Sequence, residues 1–128
     1  LRQNFPGGWP GDKNNAFKAE GRTELQAQYH NYTRRLLNWR KGNDTVCYGS
    51  LVQFTVRDGV FVYARVKDGK TVTIIANGTS KPAKAKASIY KEVLPAGRAY
   101  DVIGDNIVTL GEEIELAPKQ MMILDFTK

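Results

Sequence analysis

Beyond about residue 46 the chain is organised with a period of two, and no other feature limits its fold so tightly. Val60, Val62, Ala64 and Val66 alternate with Phe61, Tyr63 and Arg65, the pattern of a strand with one face toward a core. Leu51–Val56 precedes this run across Arg57-Asp58-Gly59, a hairpin signal. Lys67-Asp68-Gly69-Lys70 then turns the chain into Thr71–Ala76, where Val72, Ile74 and Ala76 alternate with Thr71, Thr73 and Ile75. Further strands are expected at Ser88–Tyr90, Ala99–Ile103, Asn106–Leu110, Glu113–Leu116 and Met121–Thr127, with Lys81–Ala87 as a connection between sheets. Short strands at this spacing, separated by turn residues, predict a mainly β fold: an antiparallel β-sandwich of the Greek-key type with about seven or eight strands.

The preceding stretch obeys a different period. Leu25, Tyr29, Tyr32, Leu36 and Trp39 recur at helical spacing and form one aromatic face, which predicts a long helix over 23–41. Thr23 and Gln26 have the spacing of a capping box. Gly42 is expected at the left-handed position after the last turn, where Arg40 and Lys41 complement the helix dipole. Residues 1–22 form an irregular loop dense in turn formers, Phe5-Pro6-Gly7-Gly8-Trp9-Pro10-Gly11-Asp12. Loops of this length in compact domains are commonly functional or linkers, and Phe5 and Trp9 need something to pack against. A loop and a wide aromatic helix ahead of an all-β domain suggest that the helix face belongs against something larger than this chain.

Composition narrows the class. At 128 residues the chain can bury the core of one domain without disulfides or metals. No apolar run approaches the roughly 20 residues of a membrane-spanning helix, so no membrane partner is expected. The chain begins Leu1-Arg2-Gln3-Asn4, with neither Met nor an apolar leader segment, and is read as part of a longer product. The net charge of +6 raises nucleic acid as a partner. Yet Arg34, Arg35, Arg40 and Lys41 fall on the helix and Lys81, Lys84 and Lys86 in a Pro/Ala stretch, without the interleaved aromatics of a base-stacking surface. Nucleic acid is therefore not expected. The single cysteine, Cys47, is read as a small buried residue in a strand or its approach.

Catalytic chemistry is thin. Glycoside hydrolysis needs two carboxylates facing each other across a cleft, whereas Asp101, Asp105, Glu112, Glu113 and Glu115 read as solvated turn charges. His30 is the only histidine, so neither a histidine metal cluster nor a supported triad is available. Asp12-Lys13-Asn14-Asn15 lacks the central Gly and terminal Glu of a calcium loop. No metal or cofactor and no catalytic residue is expected. Asn77-Gly78-Thr79 matches a glycosylation sequon but reads first as a turn.

Arg2-Gln3-Asn4-Phe5-Pro6-Gly7-Gly8-Trp9-Pro10-Gly11-Asp12, with Asn15, Phe17, Gly21-Arg22-Thr23 and Leu36-Leu37-Asn38-Trp39-Arg40-Lys41, resembles the bacterial cyclomaltodextrinase/neopullulanase branch of the alpha-amylase family. Gly49–Phe54 and Gly59–Arg65 are similar to the same branch. The resemblance implies that 1–45 are the loop and last helix of a (β/α)8 barrel and 46–128 a C-terminal β-sandwich domain. It also implies a parent that hydrolyses α-1,4 glucosidic bonds in cyclodextrins, pullulan or maltooligosaccharides with retention. The family's Asp nucleophile, Glu acid/base and stabilising Asp lie on earlier barrel strands and match no position here. The chain alone is thus expected to be inactive, with the barrel of the same polypeptide as its partner.

In that family the loop after the last barrel strand often supplies an arginine to a glucose unit, and Arg2 is the matching candidate. Phe5 and Trp9 either stack on sugar faces or fold the loop down. The same resemblance implies a periplasmic location, with the cytoplasm still open. Two other functions compete: a carbohydrate-binding module drawing on Tyr48, Phe61, Tyr63, Tyr90 and Tyr100, and a nucleic-acid-binding β domain. The aromatic helix face is also expected to drive self-association.

Overall fold

The computed structural model describes residues 4–127. They form two compact units that divide between Asn38 and Trp39, inside the long helix.

The first unit holds the loop, a 3-10 turn at Ala19–Gly21 and most of α1 (Glu24–Lys41). The helix begins where the capping box requires. Thr23 Oγ1 accepts from the Gln26 N–H at 3.3 Å, and Gln26 Oε1 accepts from the Thr23 N–H at 2.9 Å. Burial does not hold α1, since none of its residues is buried. Leu25 and Tyr29, at the start of the expected stripe, are 61% and 67% exposed.

The second unit opens with Trp39 at the end of α1, α2 (Asp44–Tyr48) and eight strands. These are β1 (Ser50–Gln53), β2 (Val60–Lys67), β3 (Lys70–Asn77), β4 (Ala83–Lys86), β5 (Gly97–Asp101), β6 (Asn106–Leu110), β7 (Glu113–Leu116) and β8 (Met121–Asp125). Six of them make one sheet in the order β1-β2-β3-β8-β5-β6, and β4 pairs with β7 in a second layer. All pairings are antiparallel. The expected antiparallel sandwich is therefore formed, with its strands divided six and two. Because β8 lies between β3 and β5, the chain crosses between layers and is not a simple meander.

Both Asp-Gly pairs close hairpins through positive φ at two successive residues: Asp58 and Gly59 at 50° and 77°, Asp68 and Gly69 at 50° and 74°. That backbone matches the twist of the flanking strands, and glycine tolerates it without a steric penalty.

The core lies between the layers. Val60, Val62 and Ala64 of β2, Ile75 of β3, Ala99 of β5 and Met122 and Leu124 of β8 face Ala85 of β4 and Ile114 and Leu116 of β7. Tyr90 meets Phe54 edge-on at 5.1 Å between ring centroids and completes this core. The Thr73 hydroxyl, fully buried on the same face as Ile75, donates to the Val93 carbonyl.

Several expectations change. Ser88–Tyr90 is not a strand but belongs to a 3-10 turn, Ala87–Tyr90, that swings the Tyr90 ring into the core. The expected connection Lys81–Ala87 contains β4 instead. Its alternation rests on the small residues Ala83 and Ala85, a weak signal beside the large apolar residues of β2. Gly42 does not take up positive φ, because the chain runs directly from α1 into α2, whose N-cap is Asn43. Cys47 sits in α2 and is exposed, with its thiol donating to the Arg40 carbonyl at 3.2 Å. Within that helix it is Thr45 that is buried.

The start of this unit is tied to the large sheet through one carboxylate. Asp125, 1% exposed, accepts from Trp39 Nε1–H at 2.8 Å and Asn43 Nδ2–H at 3.0 Å on the same oxygen. Its other oxygen accepts from the Thr127 N–H at 2.8 Å. Asn43 meanwhile accepts from the Val46 N–H at 3.1 Å, so one side chain both caps α2 and reaches β8. Asp125→Ala should lower unfolding free energy by about 1–3 kcal/mol for each buried donor left unpaired, read as a lower urea midpoint with unchanged slope. Thr23→Ala removes only the cap and should cost about 1 kcal/mol of α1 stability, seen as lost helical ellipticity on heating.

Candidate functional site

In the first unit the loop around Trp9 is closed by side chains and turns. Trp9-Pro10-Gly11-Asp12 closes a turn, with the Asp12 N–H donating to the Trp9 carbonyl at 2.9 Å. Pro10 supplies the fixed φ of the first central position and Gly11, at φ 96°, the positive φ of the second. The Asp12 side chain then folds back: Oδ2 accepts from the Gly7 N–H at 2.9 Å and the Trp9 N–H at 3.0 Å. Gly7 bridges to Asn15, and the Ala16 N–H donates to the Pro6 carbonyl at 2.8 Å.

A second set of side chains holds the loop to the helix start. Arg22 donates from Nε to the Ala16 carbonyl at 2.9 Å and from Nη2 to the Phe17 carbonyl at 3.2 Å. Asn14 donates to the Gly21 carbonyl at 2.6 Å and to Gln26 Oε1 at 2.8 Å. Asp12, Asn14 and Asn15 therefore serve the loop's own backbone, and among the described residues no group of acidic, histidine or cysteine side chains could hold a metal ion.

Of the expected substrate-contacting residues, Arg2 lies outside the described residues. Phe5 packs on Phe17 with ring centroids 4.7 Å apart, while Trp9 stands 71% exposed. The two aromatics thus share a loop but have different surroundings. A groove of about 680 Å³ opens in the same unit, lined mainly by apolar groups including Phe5, Pro6, Leu25, Tyr29 and Leu37. His30 is also on its wall and is exposed. The roles of Asp12, Asn14 and Arg22 were not anticipated from the sequence. A Trp-Pro-Gly-Asp string, with an acid closing a turn it can also cap, was the signal available for the first.

The acidic residues weighed for catalysis have structural surroundings. Asp101, expected in solvent, is instead buried because its side chain folds back to accept from the Ile103 N–H at 3.1 Å, and the Tyr100 hydroxyl donates to Asp105. Glu113 and Glu115 flank Lys84 across the small sheet at 3.2 and 3.0 Å. Hydrogen bonds to Glu115 and then Glu113 hold that ammonium above the ordinary lysine range. Glu112 and Glu113, adjacent in the chain, line one groove beside Lys86 and Lys91 and so stand on one wall of it. Asn77 is buried and donates to the Lys81 and Ala117 carbonyls at 2.7 and 2.9 Å, so the sequon asparagine is a structural turn residue.

The aromatic pool of the β unit does not form an exposed row. Tyr90 is in the core, Phe61 and Tyr63 are half-buried neighbours at 5.3 Å, and Tyr48 stands apart in α2 at 77% exposure.

A family model described as the cyclo-malto-dextrinase C-terminal domain matches residues 51–125, the span from β1 through the end of β8. A cyclomaltodextrin glucanotransferase of Niallia circulans is 31% identical over 94 residues, covering 73% of this chain and 13% of the relative. Another, from Bacillus licheniformis, is 30% identical over 89 residues, covering 66% and 12%. The chain therefore spans only a small part of the length of these relatives. Among solved structures, AmyP in complex with maltose superimposes with a TM-score of 0.65 at 17% identity, over 82% of this chain and 22% of that one. The trehalulose synthase MutB from Pseudomonas mesoacidophila MX-45 gives 0.55 at 22% identity, over 72% and 16%. At those identities the likeness is one of fold, and it is the residue-level match across the eight strands that places the protein: the chain belongs to the cyclo-malto-dextrinase C-terminal domain family.

Proposed function

We propose that this chain is the non-catalytic C-terminal region of an α-glucan-active enzyme of the alpha-amylase family, of the cyclomaltodextrinase/neopullulanase type. In this reading residues 1–45 end the catalytic (β/α)8 barrel, and 46–128 form a sandwich that stabilises it. The observation that carries the reading is the family match over the whole sandwich, 51–125. It agrees with carboxylates that are engaged in turns and a small-sheet ion pair. The first unit supports the barrel assignment physically, since α1 buries none of its residues while displaying Leu25, Tyr29 and Leu37.

Substrate contact then falls to the loop. Arg2, Phe5 and Trp9 belong to a segment which, at the C-terminal face of a barrel, would border the active site. The curated relatives are cyclomaltodextrin glucanotransferases, which makes glucanotransfer the competing reaction, whereas the cyclomaltodextrinase/neopullulanase resemblance of the loop favours hydrolysis. A periplasmic location is proposed on the same resemblance.

The intact polypeptide that carries this chain should release glucose and maltose from β-cyclodextrin and maltoheptaose, and short oligosaccharides that keep an α-1,6 bond from pullulan, and the 128-residue chain alone should release none. Hydrolysis by the purified chain would sink the non-catalytic reading, and accumulation of cyclodextrins from starch would replace hydrolase by glucanotransferase. In isolation the chain should also self-associate through the uncovered helix face, as apolar patches of several hundred Å² do. Sedimentation equilibrium should show a mass that rises with concentration, and Leu25→Lys with Leu37→Lys should return it to monomer.

A further inference from the structure

The loop spends an unusual amount of hydrogen bonding to hold a tryptophan out in solvent. Large aromatics normally gain by burial; Trp9 shares its exposure with Phe5 and Phe17, at 57% and 68%, and what sets it apart is the way its backbone is held. Here the Trp9 N–H and the Gly7 N–H are both fixed to one oxygen of Asp12, and the Trp9 carbonyl is fixed by the Asp12 N–H. Both ends of the Trp9 peptide backbone are thereby set by a single residue. The indole lies over Gly7, where an added Cβ would come 2.9 Å from Nε1 and 2.9 Å from the Phe17 ring. Phe17 in turn packs on Phe5, with ring centroids 4.7 Å apart. The ring is thus supported by its neighbours yet 71% exposed, the arrangement of a rigid flat surface prepared for a ligand with an apolar face.

We propose that Asp12 is a positioning residue, whose carboxylate oxygen holds the Gly7–Trp9 backbone so that the Trp9 indole is presented as a stacking surface for a glucopyranose ring of the bound α-glucan. The ligand in this statement rests on the function proposed above, and the latch does not. Sugar rings expose axial C–H groups on one face and hydroxyls at the rim, so they stack on indole without needing a buried polar partner. Fixing the ring beforehand removes the ordering cost at binding. Phe5 acts in this arrangement as support under the loop.

The two bonds converge on one oxygen, and this gives the proposal a sharp test. An asparagine keeps that oxygen as an acceptor and loses the charge, whereas an alanine loses both. In the intact polypeptide, Trp9→Ala should raise KM for maltoheptaose about three- to tenfold. Asp12→Ala should do the same, Asp12→Asn should recover most of that loss, and the Trp9→Ala/Asp12→Ala double variant should be no worse than Trp9→Ala alone. The near-UV ellipticity difference between wild type and Trp9→Phe isolates the Trp9 band, which should collapse in Asp12→Ala and persist in Asp12→Asn. Asp12→Asn as damaging as Asp12→Ala, or additive losses in the double variant, would instead make Asp12 a direct charge contact to substrate and overturn the positioning role. An unchanged Trp9 band in Asp12→Ala would overturn the latch itself. A polypeptide that turns over no α-glucan would remove the proposed function and the ligand with it, while the ellipticity series would still decide the latch.

Discussion

The β unit rests on the burial of one face of its six-stranded sheet beneath a second layer of only two strands. Val62, Ala64, Ile75 and Leu124 have no measurable exposure, and burying each of the valine, isoleucine and leucine side chains contributes about 1.5–3 kcal/mol relative to leaving it in water. A two-stranded layer is too narrow to cover six strands by itself. The 3-10 turn at Ala87–Tyr90 and the segment through Val93 and Leu94 fill the remaining area, with Tyr90 set against Phe54 and Val93 tied to Thr73. The four crossings β3–β4, β4–β5, β6–β7 and β7–β8 follow from the same requirement, because the chain must twice leave the large sheet to build its cover and twice return.

The opposite face of the sheet carries the polar joint of the unit. Val72 and Ile74 are buried there although they point away from the main core, and α2 packs against β2 and β3. Asp125 is on the β8 position paired with Val72, where it gathers donors from the last turn of α1, from the α2 cap and from the chain end. A buried carboxylate satisfied by three directed donors constrains geometry more than apolar packing does, because each bond tolerates little misalignment. In this chain β8 thus holds the Trp39 and Asn43 side chains by hydrogen bonds to one carboxylate oxygen.

The loop applies the same principle at smaller scale, with side chains closing onto backbone. Asp12, Asn14, Asn15 and Arg22 supply partners that a segment without regular ladders otherwise lacks. Such order in an irregular segment is what a binding loop requires, since contact residues on mobile backbone lose affinity to ordering entropy.

The sequence by itself determined the elements whose signals are local. Val60–Val66 alternates so cleanly that β2 and its core face follow directly, the Asp-Gly pairs dictate both hairpins, and Thr23 with Gln26 marks where α1 starts. The loop motif and the strand pattern together also carried the family. What only tertiary structure decided depends on partners distant in sequence. β4 is a strand because Ala85 meets Ile114, and nothing within Lys81–Ala87 announces that pairing. Ser88–Tyr90 gave up its expected strand because the core needed an aromatic beside Phe54. Cys47 is exposed because a short helix, fixed by Asn43 bonding to Asp125 more than eighty residues away, occupies the approach to β1. At the candidate site the aromatics were legible, but the residue that orders them was not. Asp12 reads as one more turn former, and its role appears only when the folded loop brings two backbone N–H groups onto one oxygen.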